Sequence, residues 1–241
     1  MPTKEDLLLE KRRYNLPLEI SKNEEKMLKL GYPVQKIIGY VDLANVRIDV
    51  SQKVLIPRYE TEELIFYALQ WIKKYKFVKI LDLCSGSGFI GISLKKNNPS
   101  LTVTCVDIDN EAIASSQQNA KLNSVNIEII QSNLFENVND KYDLIISNPP
   151  YLSNEEILNQ SVLDFEPHLA LFAQDNGLFF YKQILKDGWK YLNQNGMIIF
   201  EINPFHSKFW VNMKKVFNIK IIKDISGKER FVIVWQKNSI S

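Results

Sequence analysis

A chain of 241 residues with 30 basic and 28 acidic side chains carries a net charge of only +2, which makes no strong case for a duplex-binding protein, usually marked by a concentrated basic face. Its 45% hydrophobic and 24% charged content is that of a globular protein, with room for one large domain and a small appendage. Two cysteines and two histidines predict no disulfide framework, no metal cluster and no Ser-His-Asp triad. The charged start Met1-Pro2-Thr3-Lys4-Glu5-Asp6 predicts no secretory signal, and no stretch approaches the roughly 20 apolar residues of a membrane span, so a cytoplasmic protein is expected.

Residues 3–14 and 21–30 read as two short helices separated by Pro17. Thr3 and Ser21 are the expected N-caps, Glu24 completes a capping box with Ser21, and Gly31 stands as a stop. Leu7, Leu8, Leu28 and Leu30 can cover a neighbour but are too few to build a core, so residues 1–35 are expected as an appendage. Lys11-Arg12-Arg13 is a small basic cluster expected on a solvated face. Residues 36–56 change rhythm. Ile37-Ile38-Gly39-Tyr40 and the alternating Val46-Arg47-Ile48-Asp49-Val50 predict a β-hairpin linker, with a bend at Leu43-Ala44-Asn45. Thr61 is then placed to cap an amphipathic helix running through Leu64, Ile65, Ala68, Leu69 and Ile72. The Pro57-Arg58 and acidic run before that helix reads equally as cap-and-dipole chemistry or as part of a site.

From Val78 the pattern becomes strand–helix–strand, and residues 57–241 are expected to form one α/β domain. Val78-Lys79-Ile80-Leu81-Asp82-Leu83 is a buried-strand run, after which Cys84-Ser85-Gly86-Ser87-Gly88 opens a helix. Glycines there allow a tight turn and close approach of backbone to a ligand. The next strand, 101–106, ends in Asp107, 19 residues after Gly88, where an acidic side chain accepts the hydrogens of a ribose diol. Asp109 reads as the start of the following helix. A nicotinamide dinucleotide would want G-x-G-x-x-G, whereas here Asp82 precedes the loop. A carboxylate gains little beside a pyrophosphate and much beside an ammonium. S-adenosylmethionine has an ammonium, a ribose and no phosphate, and is the expected cofactor. After a third strand at 126–131, Asn133 is placed to bond the adenine edge and Leu134 to pack on its face; a plain strand-end loop is the equal alternative.

A fourth strand, Tyr142-Asp143-Leu144-Ile145-Ile146, runs into Ser147-Asn148-Pro149-Pro150-Tyr151. The carboxyl edge of an open α/β sheet is where ligands bind. The prolines leave backbone carbonyls free as acceptors, Asn148 adds a side-chain acceptor and Tyr151 a flat face with a polar tip. Such a group suits a flat –NH2 conjugated to a π system, either a nucleobase amine or a glutamine amide. Alone, the stretch reads more simply as an Asn-Pro turn. A polar insertion at 152–176 follows, then a helix over 178–192 with Tyr181, Ile184, Leu185 and Trp189 on its apolar side. Asn195-Gly196 is expected to turn into a fifth strand over 197–202, followed by a helix over 205–217 and strands near 218–225 and 230–236. The last two are joined by Gly227-Lys228-Glu229, too short for a parallel crossover, so the final strand is expected to be antiparallel.

Four segments resemble the release-factor glutamine methyltransferase family, within the class I S-adenosylmethionine-dependent enzymes. They are 56–62 (Ile-Pro-Arg-Tyr-Glu-Thr-Glu), 81–88 (Leu-Asp-Leu-Cys-Ser-Gly-Ser-Gly), Asn148-Pro149-Pro150-Tyr151, and Glu166-Pro167 with Ala170-Leu171. The resemblance spans about residues 33–236. It implies a seven-stranded Rossmann-like methyltransferase sheet with an antiparallel last strand, carrying the short helical appendage and hairpin linker. It implies cofactor contacts from Cys84, Ser85, Gly86, Ser87, Gly88, Asp107, Asn133, Leu134 and Asn148, and catalytic roles for Asn148, Pro149, Pro150 and Tyr151. The implied substrate is the glutamine of the Gly-Gly-Gln loop in bacterial class I peptide chain release factors, with neither membrane nor stable nucleic-acid partner expected. Tyr59 stands where the family usually has Pro, Cys84 where it has Gly, Asn133 where it has an acid, and Leu134 where it often has an aromatic. The appendage is also shorter than the family's helical bundle. The competing expectations are a nucleobase amino-methyltransferase and a catalytically idle binding protein.

Overall fold

The computed structural model describes residues 1–237. Helices α1 (Lys4–Arg13) and α2 (Lys22–Lys29) start at Thr3 and Ser21, each closed by a reciprocal capping box with Asp6 and Glu24 respectively. A short helix α3 (Val34–Ile38) leads through left-handed Gly39 into the hairpin β1 (Tyr40–Leu43) and β2 (Val46–Asp49). Next come α4 (Tyr59–Tyr75), β3 (Lys79–Leu83), α5 (Phe89–Asn97), β4 (Thr102–Asp107), α6 (Asn110–Leu122), β5 (Glu128–Gln131) and β6 (Tyr142–Ser147). The remainder is α7 (Gln160–Phe165), α8 (Phe179–Asp187), β7 (Leu192–Glu201), α9 (Ser207–Met213), β8 (Asn218–Lys223) and β9 (Glu229–Trp235).

The seven-stranded sheet has the order β5-β4-β3-β6-β7-β9-β8. Its first five strands pair in parallel, while β9 lies antiparallel to both β7 and β8. Because β4 and β5 lie on one side of β3 and β6 on the other, the chain reverses its winding between β3 and β6, and a crevice opens at their carboxyl ends. Alternation along the strands divides the core. Ile80, Leu144, Ile146, Ile199 and Ile233 face α4, α5 and the hairpin, while Leu81, Ile145, Ile198, Phe200 and Val232 face α8 and α9. Each such side chain is removed from water almost completely, worth about 1.5–3 kcal/mol apiece. Gly91 lets α5 lie close on the sheet, since a Cβ there would sit 2.3 Å from the Cys105 sulfur.

Several expectations are corrected. Ile37 and Ile38 belong to the helical turn α3 and not to a strand, because Pro33 pre-sets the helical entry and Gly39, at φ 94°, ends it. Pairing in the linker is therefore confined to residues 40–49, with the turn at Ala44 and Asn45. Thr61 is not a cap: α4 starts at Tyr59 behind Arg58, and Thr61 is buried in its first turn. Asn195 and Gly196 lie inside β7, which starts at Leu192 and is irregular opposite Tyr142 and Leu144. The two later helices are shorter than their apolar patterns: α8 passes into a 3-10 turn at Gly188–Tyr191, while α9 follows one at Pro204–His206 and ends at Met213. Lys11 is buried and not solvated; its ammonium bonds the Glu19 carbonyl at 2.6 Å and Glu24 at 2.7 Å.

The appendage is docked on its neighbours. Tyr14 stacks near Tyr40 and accepts from the Asp42 N–H, and Tyr32 packs on Phe165 at 4.0 Å between ring centres. Ser161 donates to the Gly31 carbonyl at 2.6 Å. The polar insertion therefore has a fixed place, with α7 bridging the appendage and the domain.

Candidate active site

The loop after β3 forms one wall of a cavity of about 300 Å³ at the carboxyl ends of β3, β4, β5 and β6. Cys84, Ser85, Gly86 and Ser87 line it, with Asp107 and Ile108 after β4, Asn133 and Leu134 after β5, and Asn148 and Pro150 after β6. The loop is held by Asp107, whose Oδ2 accepts from the Gly86 N–H at 2.8 Å while Oδ1 accepts from Asp109 at 3.0 Å. Burial raises the Asp107 pKa, and those backbone N–H groups oppose the rise. Asn133 donates to Glu136 at 2.8 Å, leaving its own carbonyl oxygen as the acceptor at the rim. Cys84 sits at φ 58°, a left-handed conformation that costs a non-glycine residue about 1–2 kcal/mol. That strain accounts physically for a preference for glycine at the position.

Gly88 caps α5 and lies behind the lining, and Pro149 and Tyr151 also stay outside it. Tyr151 is turned away, its hydroxyl donating to Glu201 Oε1 at 3.2 Å, and burial pushes its phenol pKa up. The expected ammonium contact of Asp82 is corrected too. Its side chain is fully buried beneath α5, where Oδ2 accepts from the Gly91 N–H at 2.9 Å, and burial lifts its pKa to about 7. There it anchors the first turn of α5 and is not part of the cavity lining.

Asn148 is held from behind. Its Nδ2 donates to Thr61 Oγ1 at 3.3 Å, and Thr61 donates to Glu201 Oε2 at 2.8 Å. Glu201 ends β7 with 1% exposure; burial raises its pKa to about 7 against the Thr61 bond, the Arg230 charge and the Tyr151 bond. Opposite, Leu55, Pro57, Pro167, Leu169, Ala170, Phe179 and Phe180 form an apolar wall. Glu166 staples its two strands of chain together, accepting from the Ile56 N–H at 3.0 Å and from Arg58 at 2.6 Å. The segments that stand 108 and 110 residues apart in sequence are thus one structural unit. Sequence reasoning passed over Glu201, Phe179 and Phe180. For Glu201 a signal existed, since an acid inside Met197-Ile198-Ile199-Phe200-Glu201-Ile202 is a charge in an otherwise buried strand.

The sheet order and a cavity at its winding reversal define a class I methyltransferase, and residues 47–166 match the methyltransferase small domain family. A T. thermophilus 16S rRNA methyltransferase solved with AdoMet and guanosine shares this fold, with a TM-score of 0.61 at 16% identity over 83% of this chain and 50% of that one. The chain is 40% identical to the release factor glutamine methyltransferase of Flavobacterium psychrophilum, over 86% of this chain and 76% of the relative. It is 36% identical to that of Lactococcus lactis, over 90% and 82%. The chain belongs to the release factor glutamine methyltransferase family.

Proposed function

We propose that the protein methylates the side-chain amide nitrogen of the Gly-Gly-Gln glutamine in bacterial class I peptide chain release factors, with S-adenosylmethionine as donor. The observation that carries this reading is the posture of Asn148. With Nδ2 engaged by Thr61, the group left to face the cavity is the acceptor Oδ1. An acceptor there meets an incoming –NH2.

The cavity suits the cofactor on its own chemistry. Ser85 Oγ is buried at its lining with no partner among the described residues, so a polar ligand group is needed to complete it. Asp107 accepts from the ribose hydroxyls, Asn133 and Leu134 receive the adenine, and Cys84 through Ser87 pass closely around the amino-acid end. Bound there, S-adenosylmethionine supplies a methyl group on a positively charged sulfur.

An amide nitrogen is a poor nucleophile because its lone pair is delocalised. Asn148 Oδ1 accepts one of its hydrogens, turning the nitrogen toward the methyl and stabilising the positive charge that develops on it. Pro150 and the apolar wall at Leu169, Phe179 and Phe180 exclude water from the reacting atoms. Tyr151 acts from outside the cavity by fixing Glu201. The proton leaves the nitrogen to solvent after transfer. Incubation with methyl-labelled S-adenosylmethionine plus release factor, DNA or RNA tests the reading. Label is expected in the Gly-Gly-Gln peptide of the release factor; label in nucleic acid alone overturns it in favour of nucleobase amine methylation.

A further inference from the structure

We propose that Glu201 is a positioning residue which, through Thr61, decides whether the Asn148 carboxamide presents its oxygen or its –NH2 to the cavity. The inference rests on the reaction proposed above. Its basis is the direction of hydrogen bonds in a chain of three side chains.

The sheet register supplies the setting. Ser147 pairs with Phe200 across β6 and β7, so Asn148 and Glu201 leave neighbouring strands at the same level. Thr61, brought in by the first turn of α4, stands between them, 3.3 Å from Asn148 and 2.8 Å from Glu201. A threonine hydroxyl has one proton. A carboxylate can only accept, so Thr61 must spend that proton on Glu201 and offer a lone pair to Asn148. A lone pair takes only the –NH2 end of a carboxamide. The oxygen is thereby directed outward.

Protonation of Glu201 reverses the order. Tyr151 already donates to Oε1 at 3.2 Å, so the acid proton is placed on Oε2, facing Thr61. Thr61 then accepts from Glu201, its own hydrogen is freed toward Asn148, and the carboxamide turns its oxygen inward to meet it. The cavity now receives an –NH2, which opposes the –NH2 of the incoming glutamine, and the target nitrogen loses its orienting acceptor.

The surroundings of Glu201 place this switch near neutrality. Burial favours the acid, as does the Glu60 charge from α4; the Thr61 and Tyr151 hydroxyls and the Arg230 guanidinium from β9 favour the carboxylate, for a pKa of about 7. Arg230 is itself bound to Asp224 at 3.2 Å, and Tyr181 donates to the Glu201 backbone carbonyl. Activity is therefore expected above the titration and lost below it.

The test combines two readouts. Single-turnover methyl transfer to release factor is followed from pH 5.5 to 9 for the wild type, Thr61→Val and Thr61→Ser, with cofactor affinity measured for each. The wild-type rate is expected to fall about tenfold per pH unit below an inflection near pH 7. Thr61→Val is expected to lower the high-pH plateau by about 10–100-fold and to abolish the inflection, with cofactor affinity within about twofold; Thr61→Ser, which restores the hydroxyl, is expected to restore both rate and inflection. Without any substrate, the Asn148 side-chain amide resonances in nitrogen-15 NMR are expected to titrate with the same single midpoint in the wild type. A rate independent of pH across this range, a Thr61→Val plateau equal to wild type, or an Asn148 amide that does not titrate overturns the proposal. The NMR titration decides the matter even should Thr61→Val fail to fold. Absence of methyl transfer to release factor at every pH, with the amide still titrating, would instead sink the substrate assignment and leave the switch standing.

Discussion

The two edges of the cavity are built by different means. On the cofactor side, Asp107 accepts from residues 21 and 2 positions away, Asp82 accepts from Gly91 at a separation of 9, and Ser116 donates to the Gly86 carbonyl at 30. Nearly all of it is backbone polar groups meeting two carboxylates and one hydroxyl, within the run from β3 to α6. On the target side, Asn148, Thr61, Glu201, Tyr151, Glu166 and Ile56 meet across separations of 50 to 140 residues. There the contacts are mostly between side chains. A local unit can hold a nucleoside in many proteins; the non-local wall is what distinguishes one target from another.

Substitutions can break that contrast. The largest effect is expected from Asn148→Ala on the target side, lowering the rate of methyl transfer by about 10²–10³ with the chemical step read by mass spectrometry of the Gly-Gly-Gln peptide in single turnovers. Transfer at the wild-type rate would reduce the motif to a strand-end turn. Asp107→Ala on the cofactor side is expected to cost about 1.5–3 kcal/mol of cofactor binding through lost charge-assisted hydrogen bonds. Calorimetric titration with S-adenosylmethionine or its demethylated product reads this directly, and unchanged affinity would put the ribose elsewhere.

Glu166→Gln sharpens the comparison, because it loosens the target wall without touching the glycine loop. Glutamine keeps one acceptor for Ile56 or Arg58 and loses the charge. Arg58 is 37% exposed, so solvent screens much of the pair. A loss of about 1–2 kcal/mol in stability is expected, visible as a lower midpoint in thermal unfolding, with cofactor affinity unchanged. A matching loss of cofactor affinity would mean the two edges are not independent. The smallest effect is expected for Cys84→Gly. It removes left-handed strain but adds freedom to the unfolded chain, for a net gain of less than about 1 kcal/mol by denaturant unfolding. A clear loss of stability would show that the Cys84 side chain packs more than it strains.

Much of the domain was legible because its cues act over short distances. Thr3 and Ser21 formed the expected caps, the apolar runs around Ile80 and Ile198 formed the expected strands, and the tight link after Lys223 forced β9 to run antiparallel. Errors fell where a neighbour outside the local window decided the outcome. Thr61 has the chemistry of a cap, yet Glu201 from β7 claims its hydroxyl. Lys11 looks like one member of a basic cluster, yet Glu24 and the Glu19 carbonyl take it out of water. Tyr151 sits in the recognised motif, yet its ring turns to Glu201 and away from the cavity.

What the sequence by itself determined was the alternation of strands and helices from β3 to β6, the glycine turn, Asp107 at the end of its strand, and Asn148 at the end of another. Each follows from dihedral limits, side-chain period and the number of residues between them. Only the tertiary structure decided which way Asn148 faces, that Asp82 lies beneath the helix, and that Glu166 closes the wall through Arg58. Hydrogen-bond direction depends on which partner stands opposite, and no one-dimensional pattern records a partner 87 or 140 residues away.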